Sequence, residues 1–188
     1  HPVGAYQFAP YCCNYSFSND ASLLIPTSAL SGTYRYLGAP SLLTFDSIGF
    51  PRGYPATMAV VATKDNTVVN LSLGVQAAIQ NDTSGRLSVE RGRYVARLNR
   101  QETLLIRTPI DDQSNVFDRR PQADLTGSWV EASEPVVVFS GHECSFYPQN
   151  LEACDHLEEQ LFPVESWGRA FNLVPPPERG SSTFERVY

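Results

Sequence analysis

The sequence predicts an all-β protein, built as an antiparallel β-sandwich or a jelly-roll-like fold. Short runs rich in Thr, Val, Tyr and Phe alternate with Gly, Pro and Asn, which is the pattern of strands and turns. The 3.6-residue apolar periodicity of amphipathic helices is nearly absent. With 188 residues, 42% of them apolar, the chain is large enough to bury one substantial core. Many short strands joined by turns favour a sandwich or jelly roll.

The strongest strand signal is a pair of runs, 57–64 and 67–74, separated by Asp65 and Asn66. Because Asp and Asn tolerate positive φ angles, these two residues predict a tight hairpin turn. Further strands are predicted at Val3–Phe8, Ala21–Ile25, Thr33–Leu37, Tyr94–Leu98, Thr103–Thr108, Ser128–Ala132, Val136–Ser140, Phe171–Val174 and Thr183–Tyr188.

The run 135–139, "PVVVF", is apolar on both faces and therefore predicts a central strand with Pro135 as its first residue. Helix is predicted only for about two turns around His156–Leu161. In that helix Asp155, Glu158 and Glu159 would lie in the first turn, where they would interact favourably with the helix dipole.

The sequence suggests a β-sandwich domain over 1–168 and the start of a second β unit over 169–188. Segments 21–32 and 55–67 resemble segments 170–180 and 182–188, because each set is a strand, a Pro-broken loop and the entry to a new strand. The second unit would continue beyond this stretch, so we expect the sequence to be part of a longer protein.

Charge and hydropathy exclude two classes of partner. The formal net charge is −6, and the basic residues are scattered along the chain, so no basic block could neutralise a row of phosphates. We therefore expect no nucleic-acid partner. No apolar run approaches the roughly 18 residues needed to cross a bilayer, so no membrane span is predicted in this segment.

Two of the four cysteines, Cys144 and Cys154, enclose a polar loop of nine residues. Such a loop can bring the two Cα atoms to the roughly 5.5 Å that a disulfide requires, which predicts a bridge and an oxidising compartment. Cys12 and Cys13 are adjacent, and neighbouring residues of a strand point to opposite faces. A vicinal bridge, two free thiols and cross-pairing with Cys144 and Cys154 all remain open for them.

A competing hypothesis places a metal ion in the same stretch. His142, Cys144, Cys154 and His156 form a ligand set that suits tetrahedral zinc, but their spacing matches no standard zinc-finger pattern. A cysteine cannot both coordinate zinc and form a disulfide. A buried His142 that bonds to the backbone accounts for the same residues without an ion, and we expect no cofactor.

An enzyme is the second hypothesis for the histidines. A secreted β-sandwich that begins with histidine resembles the lytic polysaccharide monooxygenases, in which copper is held by the terminal amine and two imidazoles. Here His1 would act with His142 or His156. A nucleophilic role for either cysteine is disfavoured, because sequence neighbours rarely have catalytic geometry.

Three Asn-x-Ser/Thr motifs, at Asn14, Asn70 and Asn81, mark possible glycosylation sites.

Four blocks of the sequence, taken together, resemble a known family. They are 15–35 (YSFSNDASLLIPTSALSGTYR), 59–71 (AVVATKDNTVVNL), 124–144 (DLTGSWVEASEPVVVFSGHEC) and 154–171 (CDHLEEQLFPVESWGRAF). In this order they resemble the N-terminal domain of the IgGFc-binding protein family, and "SGHEC" followed by "CDHLEEQ" is the most specific part. The segment 11–15, "YCCNY", differs from the mucus-protein pattern and favours a bacterial-type member.

The resemblance implies a non-enzymatic extracellular or cell-surface module that binds a protein or glycan and belongs to a larger adhesive or matrix-forming assembly. It assigns no ligand-binding residue. In this interpretation the Cys144–Cys154 bridge holds the loop after the central strand, and Trp167 packs where the chain enters the next β unit. A third hypothesis is a self-assembling filament or sheath subunit whose β edges pair between copies.

Overall fold

The computed structural model describes residues 3–9, 19–45, 48–80, 85–110, 123–146 and 154–172. In these residues all regular elements are strands apart from two short 3₁₀ turns, which confirms the predicted all-β class. The strands are β1 (Ala5–Ala9), β2 (Asp20–Leu24), β3 (Ser31–Arg35), β4 (Leu42–Phe45), β5 (Pro51–Tyr54), β6 (Ala56–Ala62), β7 (Thr67–Ser72), β8 (Ser88–Glu90), β9 (Arg93–Leu98), β10 (Thr103–Arg107), β11 (Trp129–Phe146) and β12 (Cys154–Gln160). Two 3₁₀ turns, η1 (Thr27–Ala29) and η2 (Val164–Ser166), complete the described elements.

The strands form one curled eight-stranded antiparallel sheet and two hairpins. The large sheet has the order β10-β6-β11-β7-β9-β8, and β3 and β12 also pair with β11. β1 pairs with β2, and β4 pairs with β5. No helix in the described part of the chain has the length and hydropathy needed to span a membrane.

β11 organises the sheet because it changes partners along its length. Its first residues, from Trp129 to Ala132, pair with β7, and its later residues, from Val136 to His142, pair with β6. The predicted central position of the "PVVVF" run is therefore confirmed. The predicted place of Pro135 as a first residue is wrong, because β11 begins six residues earlier. Pro135 lies where the register with β3 shifts, between Glu131 and Val136, and such an irregularity tolerates a residue without an N–H.

The core lies inside the curl of the sheet. Its fully buried residues include one valine of β6, one of β7 and two of β11, namely Val60, Val69, Val130 and Val138. Tyr34 of β3 is also fully buried, and its hydroxyl donates to the carbonyl oxygen of Val136 at 2.7 Å. This bond joins β3 to β11 at the point where the ladder between them is interrupted.

The predicted hairpin of β6 and β7 is wrong in its pairing. Both strands exist close to their predicted positions, but β11 lies between them in the sheet order. The turn at Asp65 and Asn66 therefore connects two strands that flank β11. Asn66 has a φ of 57°, as the sequence suggested, whereas Asp65 is not among the residues with positive φ. The Asp65 carboxylate instead accepts a bond from the Arg100 backbone N–H at 3.0 Å.

The predicted helix around His156–Leu161 is also wrong. Residues 154–160 form β12, which pairs antiparallel with the end of β11. Asp155, Glu158 and Glu159 are therefore strand residues, and the predicted interaction of these acids with a helix dipole does not occur. Strands β4, β5 and β8 were not predicted. Residues 171 and 172 are irregular, and the remainder of the predicted strands Phe171–Val174 and Thr183–Tyr188 lies outside the described residues.

Candidate functional site

The predicted cysteine and histidine cluster lies on the ladder between β11 and β12. His142 is opposite Leu157, Ser145 is opposite Asp155 and Phe146 is opposite Cys154. The register shifts between His142 and Ser145, so β11 contains a bulge beside Cys144. The structure therefore brings the β11 and β12 parts of the cluster together, as the short spacing in the sequence suggested.

His142 is a buried structural side chain with only 2% of its surface exposed. Its Nδ1 accepts a hydrogen bond from the Cys144 backbone N–H at 3.2 Å, so the ring braces the bulge from inside. Burial, with a smaller contribution from the charge of His156, lowers the pKa of His142 to about 4. The imidazole is therefore neutral at physiological pH.

His156 lies beside this ring and approaches a carboxylate of its own strand. Its Nε2 is 3.9 Å from a carboxylate oxygen of Glu158, which is an ion-pair distance when the imidazole is protonated. Among the described residues, no group of three or more His, Cys, Asp and Glu side chains is arranged to hold a metal ion. His1, the remaining ligand of the copper hypothesis, lies outside the described residues.

Cys144 is 1% exposed and disulfide-bonded, which removes its thiolate from the predicted zinc ligand set. The side chains of Cys12, Cys13 and Cys154 lie outside the described part of the structure, so the pairing of Cys144 with Cys154 stays a prediction. In register, Cys154 is opposite Phe146, two residues from Cys144. A directly opposite pair would suit a bridge better than this diagonal one, so the pairing calls for a chemical measurement.

Tryptic digestion without reductant can measure the pairing. Trypsin leaves Cys12 and Cys13 in the peptide 1–35 and leaves both Cys144 and Cys154 in the peptide 120–169, because no Lys or Arg separates them. We expect the two peptides to separate in the mass spectrum, as a Cys144–Cys154 bridge requires. A single linked species that separates only after reduction would instead show cross-pairing with Cys12 and Cys13.

Side chains of β2 and of Gln160 attach the β1–β2 hairpin to β12. The Asp20 carboxylate accepts a bond from the Glu158 backbone N–H, and the Ser22 hydroxyl accepts one from the Gln160 backbone N–H, both at 2.7 Å. The Gln160 side-chain oxygen in turn accepts a bond from the Ile25 backbone N–H at 2.9 Å. Side chains thus satisfy backbone donors at this edge of β12, which a second strand would otherwise have to do.

Burial raises the pKa of Glu159, which also approaches the Ser22 hydroxyl at 3.4 Å. The charges of Asp20 and Glu158 act in the same direction. These carboxylates therefore help to dock the hairpin on β12. The described contacts of the predicted cluster hold β11, β12 and the β1–β2 hairpin together.

A different surface has the composition of a binding site. Along the first part of β11, Val130 is buried, so Trp129 and Glu131 point to the opposite, outer face of the sheet. Arg35 of β3 lies opposite Trp129, with its guanidinium 5.4 Å from the centre of the indole ring. Arg93 of β9 forms an ion pair of 2.7 Å with Glu131. We call the surface formed by Arg35, Trp129, Glu131, Arg93 and Asn70 the outer face.

The side chains of the outer face are held in place by contacts with one another. Arg35 stacks on the indole ring within cation–π distance, and Glu131 holds Arg93 across the intervening strand β7. Asn70 of β7 lies directly opposite Glu131, half-buried, with its amide 3.4 Å from the Glu131 carbonyl oxygen. Trp and Arg are enriched in protein interfaces, and here both are preorganised.

Sequence reasoning missed the outer face because its residues come from four strands. The available signal was the alternation in 129–133, where Trp, Glu and Ser alternate with Val and Ala. Of the predicted glycosylation sites, Asn70 lies on the outer face, and Asn14 and Asn81 lie outside the described residues. Trp167, which was predicted to pack at a domain boundary, is 39% exposed, and its indole N–H donates to the Phe162 carbonyl oxygen.

Comparison with known proteins gives one family. The family described as "IgGFc binding protein" matches residues 20–188. The human IgGFc-binding protein is 46% identical over 61 residues, which is 32% of this chain and 1% of the human protein. The chain therefore spans a very small part of this relative. No solved structure matches.

Proposed function

Because this chain belongs to the IgGFc-binding protein family, we propose that it is a non-enzymatic extracellular module that binds a protein partner through the outer face. The observation that carries this proposal is the preorganised pair of Arg35 and Trp129 beside the ion pair of Arg93 and Glu131. Residues of these types supply most of the binding energy in protein interfaces when they are already held in place.

The extracellular assignment has support from cysteine chemistry as well as from the family. Cys144 is disulfide-bonded, and structural disulfides persist in oxidising compartments rather than in the cytosol. We propose that the module belongs to a larger secreted or surface assembly with an adhesive or matrix-forming role. We also propose, from the segment 11–15, that it is a bacterial-type member of the family.

Immunoglobulin Fc is the first probe for the partner, because the human relative is named for binding it. We expect purified chain to bind human IgG Fc in surface plasmon resonance, and the Trp129→Ala variant to bind at least ten-fold more weakly. The matched control is Phe171→Ala, which removes a 75% exposed aromatic side chain outside the outer face. An equal loss in both variants, or none in Trp129→Ala, would contradict the assignment of the outer face.

The same experiment separates binding from catalysis when it is paired with elemental analysis. Stoichiometric copper or zinc in freshly purified protein would favour the enzyme hypothesis built on His1, His142 and His156. A metal-free protein that binds Fc through Trp129 would support the binding module. If the protein contains no metal and does not bind Fc, other extracellular proteins and glycans become the candidate partners of the outer face.

A further inference from the structure

The β1–β2 hairpin has two faces of opposite character. On its inner face the Gln7 side chain donates to the Glu158 carboxylate at 2.6 Å, and Ser22, directly opposite Gln7, is fully buried. On its outer face Tyr6 is 72% exposed and Phe8 is 59% exposed. Leu23 lies opposite Tyr6 and is 42% exposed, so the apolar side chains of both strands form one patch.

β1 is also an edge strand in the part of the chain that the structure describes. Among the described strands it pairs with β2 alone, so one row of its backbone N–H and C=O groups has no strand partner in the described part of the chain. Natural edge strands are usually protected by charge, proline, a bulge or a covering segment. The five residues of β1, AYQFA, contain no charge and no proline, and their pairing with β2 is continuous.

Strands β8, β10 and β3, which lie at edges of the large sheet, are by contrast protected in these ways. β8 is three residues long and ends in Glu90. β10 ends in Arg107, whose carbonyl oxygen already accepts a bond from the Gln80 backbone N–H at 2.7 Å. β3 ends in Arg35, and η2 packs along it. In contrast to these three strands, β1 has no such protection within its five residues.

The sequence of β1 is close to palindromic about Gln7, and this symmetry indicates the occupant. Two copies of β1 can pair antiparallel about a two-fold axis at Gln7. Tyr6 of one copy then lies opposite Phe8 of the partner subunit, and Phe8 of the first copy lies opposite Tyr6 of the partner subunit. Ala5 lies opposite Ala9 of the partner subunit. Aromatic pairs of this kind are favourable across antiparallel strands, and the lack of charge removes any repulsion.

We propose that two copies of this chain associate through antiparallel pairing of their β1 strands, centred on Gln7, to form a continuous four-stranded sheet β2-β1-β1-β2. The two-fold arrangement closes on itself, so it yields a dimer and not a filament. β1 precedes residues 20–188, the part of the chain that the family matches, so this surface is additional to the matched domain. The proposal does not depend on the ligand of the outer face.

The size of the contact sets the expected affinity. Five residues and three exposed side chains from each copy make an interface below the roughly 1,200 Å² of stable complexes. Such a dimer should be weak, with a dissociation constant on the order of 10⁻⁴ M. It should form reversibly as the concentration of the chain is raised.

Sedimentation velocity of the 188-residue chain, over a range from about 10⁻⁵ to 10⁻³ M that brackets this affinity, tests the proposal with two double variants. In Tyr6→Lys/Phe8→Lys, each introduced lysine faces a lysine of the partner subunit, so we expect a monomer at every concentration. In Tyr6→Lys/Phe8→Glu, the lysine at position 6 faces the glutamate at position 8 of the partner subunit, so we expect dimerisation to persist. Val89→Lys, at an exposed apolar residue of β8, is the control that should dimerise like the wild type.

The substituted side chains are exposed, so we expect all variants to keep the wild-type circular dichroism spectrum and melting temperature. A wild-type chain that stays monomeric throughout the range would overturn the proposal. Dimerisation of the double-lysine variant would overturn it as well, because the contact would then lie elsewhere. A monomeric lysine/glutamate variant would exclude the register centred on Gln7.

Discussion

Replacement of Gly32 by alanine is expected to lower the free energy of unfolding by about 2–3 kcal/mol, the upper part of the range for overpacking a well-packed interior. A Cβ atom on Gly32 would lie 2.4 Å from the carbonyl oxygen of Ala132, a distance that real Cβ atoms do not adopt. The contact is with backbone and not with a side chain that could rotate away. Ala132 is also fixed from the other side, where it pairs with Val69 of β7.

Chemical denaturation of wild type and variant measures this effect, and Gly4→Ala provides the matched control. A Cβ on Gly4 would meet its nearest neighbour, a ring carbon of Tyr6, at an ordinary 3.8 Å. We therefore expect Gly4→Ala to change the free energy of unfolding by less than about 0.5 kcal/mol, as surface substitutions usually do. Equal stabilities of Gly32→Ala and wild type would mean that β3 does not approach β11 this closely.

The sequence was most informative where strands alternate or are buried on both faces. β6, β9 and β10 were predicted nearly at their observed bounds, and buried residues alternate with more exposed ones along β6 and β10. The central place of β11 followed from its uninterrupted apolar run. The length of β11 could not be predicted from sequence, because Pro135 is a typical sign of a strand end. In the fold, β11 continues through Pro135, and the register with its neighbour β3 shifts there.

β12 shows why local pattern failed. Leu157 and Leu161 are four residues apart, which is the spacing of side chains on one face of a helix. Acidic residues precede Leu161, and acidic residues are also typical of the first turn of a helix. The strand forms because β11 pairs along it, and Asp20 and Ser22, more than a hundred residues away in the chain, accept its backbone donors. Interactions of such long range leave no periodicity in sequence.

The same limit applies to the candidate site. The proximity of His142 and His156 could be predicted, since few residues separate them. The outer face could not, because Arg35 and Trp129 are distant in the chain and meet only through the register of β3 with β11. Residue types identified the cluster of cysteines and histidines, whereas strand register determined which side chains share the partly exposed outer face.

The second large effect concerns pH and follows from the burial of His142. Its pKa is about 4 in the folded protein and 6.5 in an exposed histidine, so the unfolded chain binds a proton more readily than the folded chain. Stability from this group is therefore fully present above pH 6.5 and is lost as the pH falls toward 4. A difference of this size corresponds to about 3 kcal/mol in the free energy of unfolding.

Denaturation at a series of pH values, with His142→Asn as the comparison, isolates this contribution. Asparagine offers an acceptor near the position of Nδ1 for the Cys144 backbone N–H but does not titrate. We expect His142→Asn to be less stable than wild type at pH 7 and to lose much less stability between pH 6.5 and 4. Both proteins share the carboxylates, including Glu158 and Glu159 near the histidine pair, so the difference between their profiles reports the imidazole. Parallel profiles would show that His142 is hydrated in the folded protein, and the bulge beside Cys144 would then be open to solvent.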